Sequence, residues 1–367
     1  MATIDERIKE VEEEIRRTEY NKKTAHHIGK LKAKLARLRE EAERARARRG
    51  GGGRRFSVKK SGDATVALLG PPNSGKSTLL NRITDAQSEI GDFAFTTKEI
   101  RPGIMSYEGA QIQLLDMPGI LPGAASGRGR GREVLGSARC ADLILIFLDV
   151  LNPDLESLVR EMREAGIRPN ERPPDITIAK KERGGITISS TVTMTRLDPA
   201  TARAILNEYG VVNADVVFRT DASADQLIDS LSESCVYVPA IVALNKIDLI
   251  PREELERGLT NLAGWRVYPV SALTGEGLPE LQKGIYQALD LKRVYLRPQG
   301  GEVDRSRPLV LRRGGTVGDV CDRLHKEFRR KFRYAVVWGS SVKFDGQRVG
   351  LEHELADGDV LTIVLSA

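Results

Sequence analysis

The stretch whose reading decides the fold is Thr65-Val66-Ala67-Leu68-Leu69 followed at once by Gly70-Pro71-Pro72-Asn73-Ser74-Gly75-Lys76-Ser77-Thr78. The apolar run reads as a buried strand, the glycine-framed segment as a tight turn, and the chain from Lys76 as the start of a helix. Glycines let the backbone turn sharply enough for successive N–H groups to converge on phosphate oxygens. The helix N-terminus adds positive potential there. Lys76 supplies a cation for the β- and γ-phosphates, and the Ser77 hydroxyl is an expected Mg²⁺ ligand. All nine residues from Gly70 to Thr78 are therefore expected to line a nucleotide polyphosphate.

Around this segment the pattern repeats. Apolar strands are expected at Thr65–Leu69, Gln111–Leu115, Leu143–Asp149, Ala240–Leu244 and Arg266–Val270, with helices between them. Such alternation predicts an α/β fold, a mainly parallel sheet with helices on both faces. The gap between Asp149 and Ala240 is far longer than a crossover needs. Residues 165–232 are therefore read as an inserted α+β subdomain. Its strands are expected at Ile176–Ala179, Gly185–Ser189 and Val216–Arg219, and its helices at Pro199–Glu208 and Ala224–Leu231. Lys180-Lys181-Glu182-Arg183 reads as a solvated hairpin tip.

Upstream, Ile4, Ile8, Val11 and Ile15, then Ile28, Leu31, Leu35 and Leu38, recur at helical spacing and predict a helical hairpin over 4–19 and 24–48. Thr24 reads as an N-cap. So small a core needs a surface to dock on. A basic, glycine-rich linker, Arg49 to Arg55, follows. Downstream of Leu291, strands at 293–297 and 308–312, a helix at Val317–Arg329, and strands at 335–338 and 360–365 follow the order of a β-grasp module. The expected division is 1–60 (hairpin and linker), 61–292 (nucleotide domain, with 165–232 inserted) and 293–367 (β-grasp).

Composition narrows the function. The 367 residues carry 57 Lys+Arg against 51 Asp+Glu. Charge is uneven, with 19 basic and 10 acidic side chains in residues 1–60 and 14 basic against 10 acidic in residues 293–367, so the centre is net acidic. Basic ends suit a polyanion, with RNA favoured, and the acidic body argues against coating or specifically reading DNA. Three scattered cysteines, Cys140, Cys235 and Cys321, with no CxxC pair, exclude a disulfide framework and a cysteine zinc site and fit a reducing cytoplasm. No apolar run reaches the roughly 18 residues of a membrane span.

Base choice is expected at Asn245-Lys246-Ile247-Asp248, at the carboxyl edge of the sheet where ligands of open α/β folds bind. The Asp248 carboxylate can accept from N1–H and the 2-amino group of guanine. Adenine offers neither donor and would leave the carboxylate unpaired. Lys246 is expected along the base, and Ser271-Ala272-Leu273 over its other side. Asp116-Met117-Pro118-Gly119 ends its strand. Asp116 is expected to hold Mg²⁺ through water, and the Gly119 N–H to meet the γ-phosphate. Of Thr96 and Thr97, Thr97 is the expected ligand that closes on Mg²⁺ and γ-phosphate, giving a loop that loosens on hydrolysis.

Together these residues resemble the Obg-like GTPases, specifically the DRG (developmentally regulated GTP-binding protein) family. The resemblance rests on Thr24-Ala25-His26-His27, the cradle, Phe95-Thr96-Thr97, Leu115 to Ile120, Gly127-Arg128-Gly129-Arg130-Gly131, the insert, Asn245 to Asp248, and a C-terminal TGS module signed by Thr316-Val317-Gly318-Asp319-Val320 and Asp357-Gly358-Asp359-Val360. It implies a cytoplasmic GTP/GDP switch acting near ribosomes or structured RNA in translation, with a DFRP-like protein partner in many relatives. Ile120 stands where Ras-like enzymes carry a water-orienting Gln, so slow intrinsic hydrolysis is expected. In related GTPases an Asn at the position of Asn73 helps hold K⁺, whose charge does part of an arginine finger's work. Asn73 simply bracing the loop is the other reading. Catalytic roles are thus expected for Asn73, Lys76, Thr97 and Gly119. The Arg128, Arg130 and Arg132 segment is a further candidate for transition-state charge or RNA. So is the tail cluster Arg323, Lys326, Arg329, Arg330, Lys331 and Arg333, with Phe328, Phe332 and Tyr334 interleaved. The rival to an enzyme is a nucleotide-stabilised RNA- or ribosome-binding scaffold with little hydrolysis.

Overall fold

The computed structural model describes residues 3–19, 21, 24–49, 61–84, 101–120, 123, 131–232 and 234–366. Helices α1 (Ile4–Arg17) and α2 (Ala25–Arg49) come first. Then follow β1 (Ala64–Leu69), α3 (Lys76–Ile83), β2 (Arg101–Tyr107), β3 (Ala110–Asp116), α4 (Gly131–Ala138), β4 (Leu143–Asp149) and α5 (Leu155–Glu164). The insert holds β5 (Ile167–Pro169), β6 (Ile176–Lys180), β7 (Ile186–Ser190), α6 (Pro199–Glu208), β8 (Ala214–Phe218), α7 (Ala224–Leu231) and β9 (Val236–Val238). The chain returns through β10 (Ala240–Asn245), α8 (Arg252–Asn261), β11 (Val267–Val270) and α9 (Leu278–Ala288). It ends with β12 (Lys292–Leu296), β13 (Leu309–Leu311), α10 (Val317–Leu324), α11 (Lys326–Arg330), β14 (Phe332–Trp338), β15 (Gln347–Val349) and β16 (Val360–Leu365). These elements form two compact units, one of Met1–Ser57 with Met162–Tyr237, the other of Val58–Glu161 with Val238–Ala367.

In the larger unit six strands lie in the order β11-β10-β4-β1-β3-β2. All neighbours are parallel except β2, which turns back on β3. β1 and β10 are buried at every position, because strands covered on both faces need apolar side chains on both. The register lines up the carboxyl ends, pairing Leu68 with Asp116 and Asn245 with Asp149. Every turn leaving that edge is therefore adjacent in space to the next. The sequence reading found five of the six strands and missed β2, whose Arg101-Pro102-Gly103 start carries none of the expected apolar run.

The same unit contains a five-stranded sheet, β13-β12-β16-β14-β15, packed on α10 through Val294, Val317, Val320, Ala335, Val337 and Leu361. The single helix expected at Val317–Arg329 is two. His325 is extended (φ −171°), and its Nδ1 accepts from the Glu327 N–H to cap a new short helix. This sheet meets the amino ends of β1, β3 and β4. Arg312 pairs bidentately with Asp142 (2.6 and 2.8 Å), Arg323 with Asp63 (2.7 Å) and Arg293 with Glu108 (2.7 Å), while Val310 joins the core of the six-stranded sheet.

In the smaller unit α1 begins on a capping box of Thr3 and Glu6, and buries Ile8 and Val11 against Leu31, Leu38 and Ala42 of α2. The dock that this small core requires is the insert. Ala33 lies within the insert's core, Lys32 pairs with Asp225 (2.8 Å) and Arg37 with Glu208 (3.4 Å). Thr24 stitches the interhelical turn, its hydroxyl donating to the Glu19 carbonyl (2.5 Å). The insert's sheet has the order β6-β8-β7, with β8 antiparallel to β6 and parallel to β7. Lys180 to Arg183 is therefore no hairpin tip: β8 lies between the two strands it joins, and Lys181 pairs with Asp215 on β8. A sequence pattern shows which residues form strands but not that a later strand enters between two earlier ones.

Candidate functional site

The turn after β1 leads into α3 with Gly75 at its N-cap, at φ +98°. A side chain there would meet the Asn245 amide, since a Cβ would lie 2.4 Å from its Nδ2. Gly75 thus serves the left-handed turn and the close approach of β10's end at once. Lys76 is buried. Its Nζ donates to the carbonyls of Gly70 (3.2 Å) and Pro71 (2.7 Å). Burial lowers its pKa, and Asp116 opposes the shift only in part. A desolvated ammonium with only neutral acceptors in contact is a cation short of an anion, which suits phosphate.

Ser77 Oγ donates to Asp116 Oδ2 at 2.5 Å. A hydroxyl and a carboxylate held together beside that ammonium suit a small, oxygen-ligated cation such as Mg²⁺. The backbone beyond Asp116 closes on the cradle. The Ile120 N–H donates to the Gly70 carbonyl (3.0 Å), and a Cβ on Gly119 would lie 2.8 Å from the Pro72 nitrogen. The Ile120 side chain is buried. Asn73, at φ +61°, is exposed at the mouth of the cradle.

On the other side Asn245 acts as a bracket. Its Nδ2 donates to the Ser74 carbonyl (2.7 Å) and its Oδ1 accepts from the Ala272 N–H (2.9 Å). One buried amide ties the phosphate turn to the loop after β11. Lys246 adopts a left-handed φ of +69° and its Nζ bonds Asp149 Oδ2 at 2.5 Å. The 3₁₀ turn Ile247–Leu249 then leaves Asp248 exposed. Ser271 is buried, its Oγ accepting from the Thr274 N–H (3.1 Å), while Leu273 is exposed and its carbonyl accepts from Arg82.

The structure thus brings Gly70 to Thr78, Asp116, Gly119, Asn245, Lys246, Asp248 and Ser271 to Leu273 to one edge of the sheet. Thr96 and Thr97 lie outside the described residues, as do Arg128 and Arg130. Among the described residues no cluster of three His, Cys, Asp or Glu side chains forms a preassembled metal cage. Sequence reasoning missed Asp149 as the partner of Lys246 and Arg82 as a support of Leu273. For Asp149 a signal existed: an Asp closing an apolar strand at the ligand edge.

A P-loop in strand–turn–helix context, with a guanine-type turn bracketed to it, defines a nucleotide-binding α/β domain of the GTPase class. Family comparison is consistent with this along the whole chain. Residues 65–181 match the model described as 50S ribosome-binding GTPase, 183–291 the C-terminal region of that domain, and 292–365 the TGS domain. The chain is 53% identical to an uncharacterized GTP-binding protein of Methanocaldococcus jannaschii, covering 99% of this chain and 93% of that protein. It is 47% identical to Developmentally-regulated G-protein 3 of Arabidopsis thaliana, over 99% of both. It is 44% identical to Ribosome-interacting GTPase 1 of Saccharomyces cerevisiae, over 99% of this chain and all of that one. The chain belongs to the DRG family of Obg-like GTP-binding proteins with a C-terminal TGS domain. Among the described residues no helix is long and apolar enough to cross a membrane.

Proposed function

We propose that this protein is a Mg²⁺-dependent GTP-hydrolysing switch, slow on its own and stimulated by K⁺, that acts on ribosomes in the cytoplasm. The observation that carries the reading is the closed chain of contacts from Lys76 and Ser77 through Asp116 and Ile120 back to Gly70, and from Ser74 through Asn245 to Ala272. A nucleotide seated there would touch phosphate, metal and base determinants together. Lys76 and the cradle amides bind the polyphosphate, Ser77 and Asp116 hold Mg²⁺ with Thr97, and Asp248 accepts from guanine. Ser271 to Leu273 cover the base. Lys246, anchored on Asp149, stiffens the turn that presents Asp248.

Hydrolysis needs a positioned water and compensation of developing negative charge. Ile120 offers no hydrogen bond, which supports a slow basal rate. The exposed Asn73 amide suits a monovalent cation beside the phosphates, as the family implies. The ribosome as target rests on kinship with the yeast protein of that name and on the basic ends of the chain, and a DFRP-like partner rests on kinship alone. Phosphate release at saturating GTP is the test, compared in K⁺ and Na⁺ and with and without ribosomes. Expected is slow release, faster in K⁺ by about tenfold or more and dependent on Asn73. No release under any of these conditions would instead identify a nucleotide-stabilised scaffold.

A further inference from the structure

Of the tail cluster, only Tyr334, with Arg333 5.9 Å from its centroid, belongs to an aromatic patch at the surface. Arg323 is paired with Asp63, Arg329 with Asp322 and Arg330 with Glu327, while Phe328 and Phe332 pack against the β-grasp core. Tyr334 lies instead with Tyr295 and Trp338 on the opposite face of the C-terminal sheet. Strand alternation sends Ala335 and Val337 to the core, and Tyr334, Val336 and Trp338 to the other side. β12 likewise buries Val294 and turns Tyr295 outward. The register places these rings on both sides of β16: Tyr295 and Trp338 both pair with Val360, and Tyr334 with Val364. All three rings are half-buried.

An arginine stands over each ring. Arg305 lies 5.7 Å from the Tyr295 centroid, Arg297 5.1 Å from Trp338, and Arg348 4.6 Å from Tyr334. These arginines are exposed, and among the described residues none has a carboxylate partner. The neighbouring Arg293 and Arg312 are both committed to carboxylates. Arg297 spends only its Nε, on the Gly301 carbonyl (3.0 Å), so a sheet face with rings at its surface, each beside a guanidinium that no carboxylate neutralises, supplies stacking surfaces and phosphate charge together.

We propose that this face binds single-stranded RNA. Unstacked bases lie against Tyr295, Tyr334 and Trp338, and Arg297, Arg305 and Arg348 meet the phosphates or extend the stack. Duplex RNA keeps its bases stacked inside and offers no free ring to such a surface. An acidic peptide would use the arginines but has no need of a ring under each one. Choosing RNA over other polyanions rests on the ribosomal reading above.

The test is fluorescence anisotropy of the full chain with a labelled oligouridylate of about 12 nucleotides, within the span such platforms cover. Tyr334→Ala and Trp338→Ala should each weaken binding by about five- to 100-fold, with Tyr334→Phe and Trp338→Phe restoring it. Replacing Arg297, Arg305 and Arg348 together by Gln should flatten the slope of log affinity against log salt by about two. GDP affinity, which none of these residues serves, reports that each variant is folded. The proposal is overturned if the wild type ignores oligouridylate, if the Ala variants bind it as the wild type does, or if a duplex or polyglutamate competes as well as the single strand. Co-sedimentation with ribosomes is measured in parallel. Sedimentation without oligouridylate binding sinks this face and spares the ribosomal function. Oligouridylate binding without sedimentation does the reverse.

Discussion

Asn245 and Asp248 are three residues apart in one turn, yet their environments assign them different work. Asn245 is buried and satisfies one acceptor and one donor on two separate loops. Truncating it strands both partners, at a cost of about 1–3 kcal/mol. Asn245→Ala should therefore lower the unfolding midpoint and weaken GDP binding together. Asp248 is exposed, so Asp248→Asn should leave stability unchanged and weaken GDP by about 100-fold or more, because the lost acceptor faces two donors of guanine. Thermal unfolding with and without GDP separates the two effects, and a stable, tightly binding Asp248→Asn protein would remove the guanine assignment. Lys76 gives a third contrast at this scale. Its folded pKa lies below the unfolded 10.5 because burial outweighs the pull of Asp116. Between those two values the unfolded chain holds the proton and the folded one does not, so stability rises with pH through that window. At neutral pH the buried cation is a cost. Lys76→Met should then keep or raise the midpoint of the nucleotide-free protein while abolishing the upward shift produced by GDP. A marked fall in the nucleotide-free midpoint would mean that the two carbonyl bonds outweigh desolvation.

Elements are where the sequence was most and least legible. Leu143–Asp149, Pro199–Glu208 and Ala224–Leu231 were readable to the residue because apolar period and caps agree: Asp198 and Ser223 each accept from an amide in the first turn of the helix that follows. β2 was not readable, since an edge strand begun by Arg101-Pro102-Gly103 is specified by pairing with β3, not by its own composition. The break at His325 was equally hidden, because α10 and α11 share one apolar rhythm and only the backbone shows the interruption. The nucleotide edge was legible because the cradle and the Asn245 turn each carry a local motif. The Lys246–Asp149 pair was not, since it joins positions far apart in the chain through strand register. Gly75 shows how one element's conformation serves another. Gly75 and Gly184 have similar positive φ, +98° and +105°, but a Cβ at Gly75 would strike Asn245 whereas Gly184 has nothing within 4 Å. Both Ala variants carry the left-handed penalty of about 1–2 kcal/mol. Only Gly75→Ala should displace Asn245 and lose GDP binding by at least about tenfold. Equal binding by the two would show that the bracket does not support the cradle.

At the scale of the larger unit, the TGS sheet and the nucleotide site occupy opposite ends of the same strands. Asp63, just before β1, accepts from Arg323 through Oδ1 and from the Gln111 N–H through Oδ2, while its carbonyl accepts from Arg312. Asp142, just before β4, holds the Arg312 fork and also accepts from the Thr65 N–H. β3 therefore runs from this anchor at Gln111 to Asp116 at the carboxyl edge beside the phosphate turn, about 17 Å away at the usual strand rise. Pro308 packs so closely on the β2–β3 turn that a Cβ on Gly109 would meet its ring at 2.6 Å. A strand in a fully paired sheet has one arrangement, and coupling between distant sites requires an element with two. The anchor should thus hold the TGS sheet without tuning the nucleotide, leaving state-dependence to the loops at the carboxyl edge. Arg312→Ala combined with Arg323→Ala should raise deuterium uptake across Leu309–Leu311 and residues 61–63, and leave GDP affinity within about threefold, below the fivefold onset of typical allosteric coupling. A change of tenfold or more would mean that β1 and β3 themselves transmit between TGS and nucleotide, and that the sheet is part of the switch.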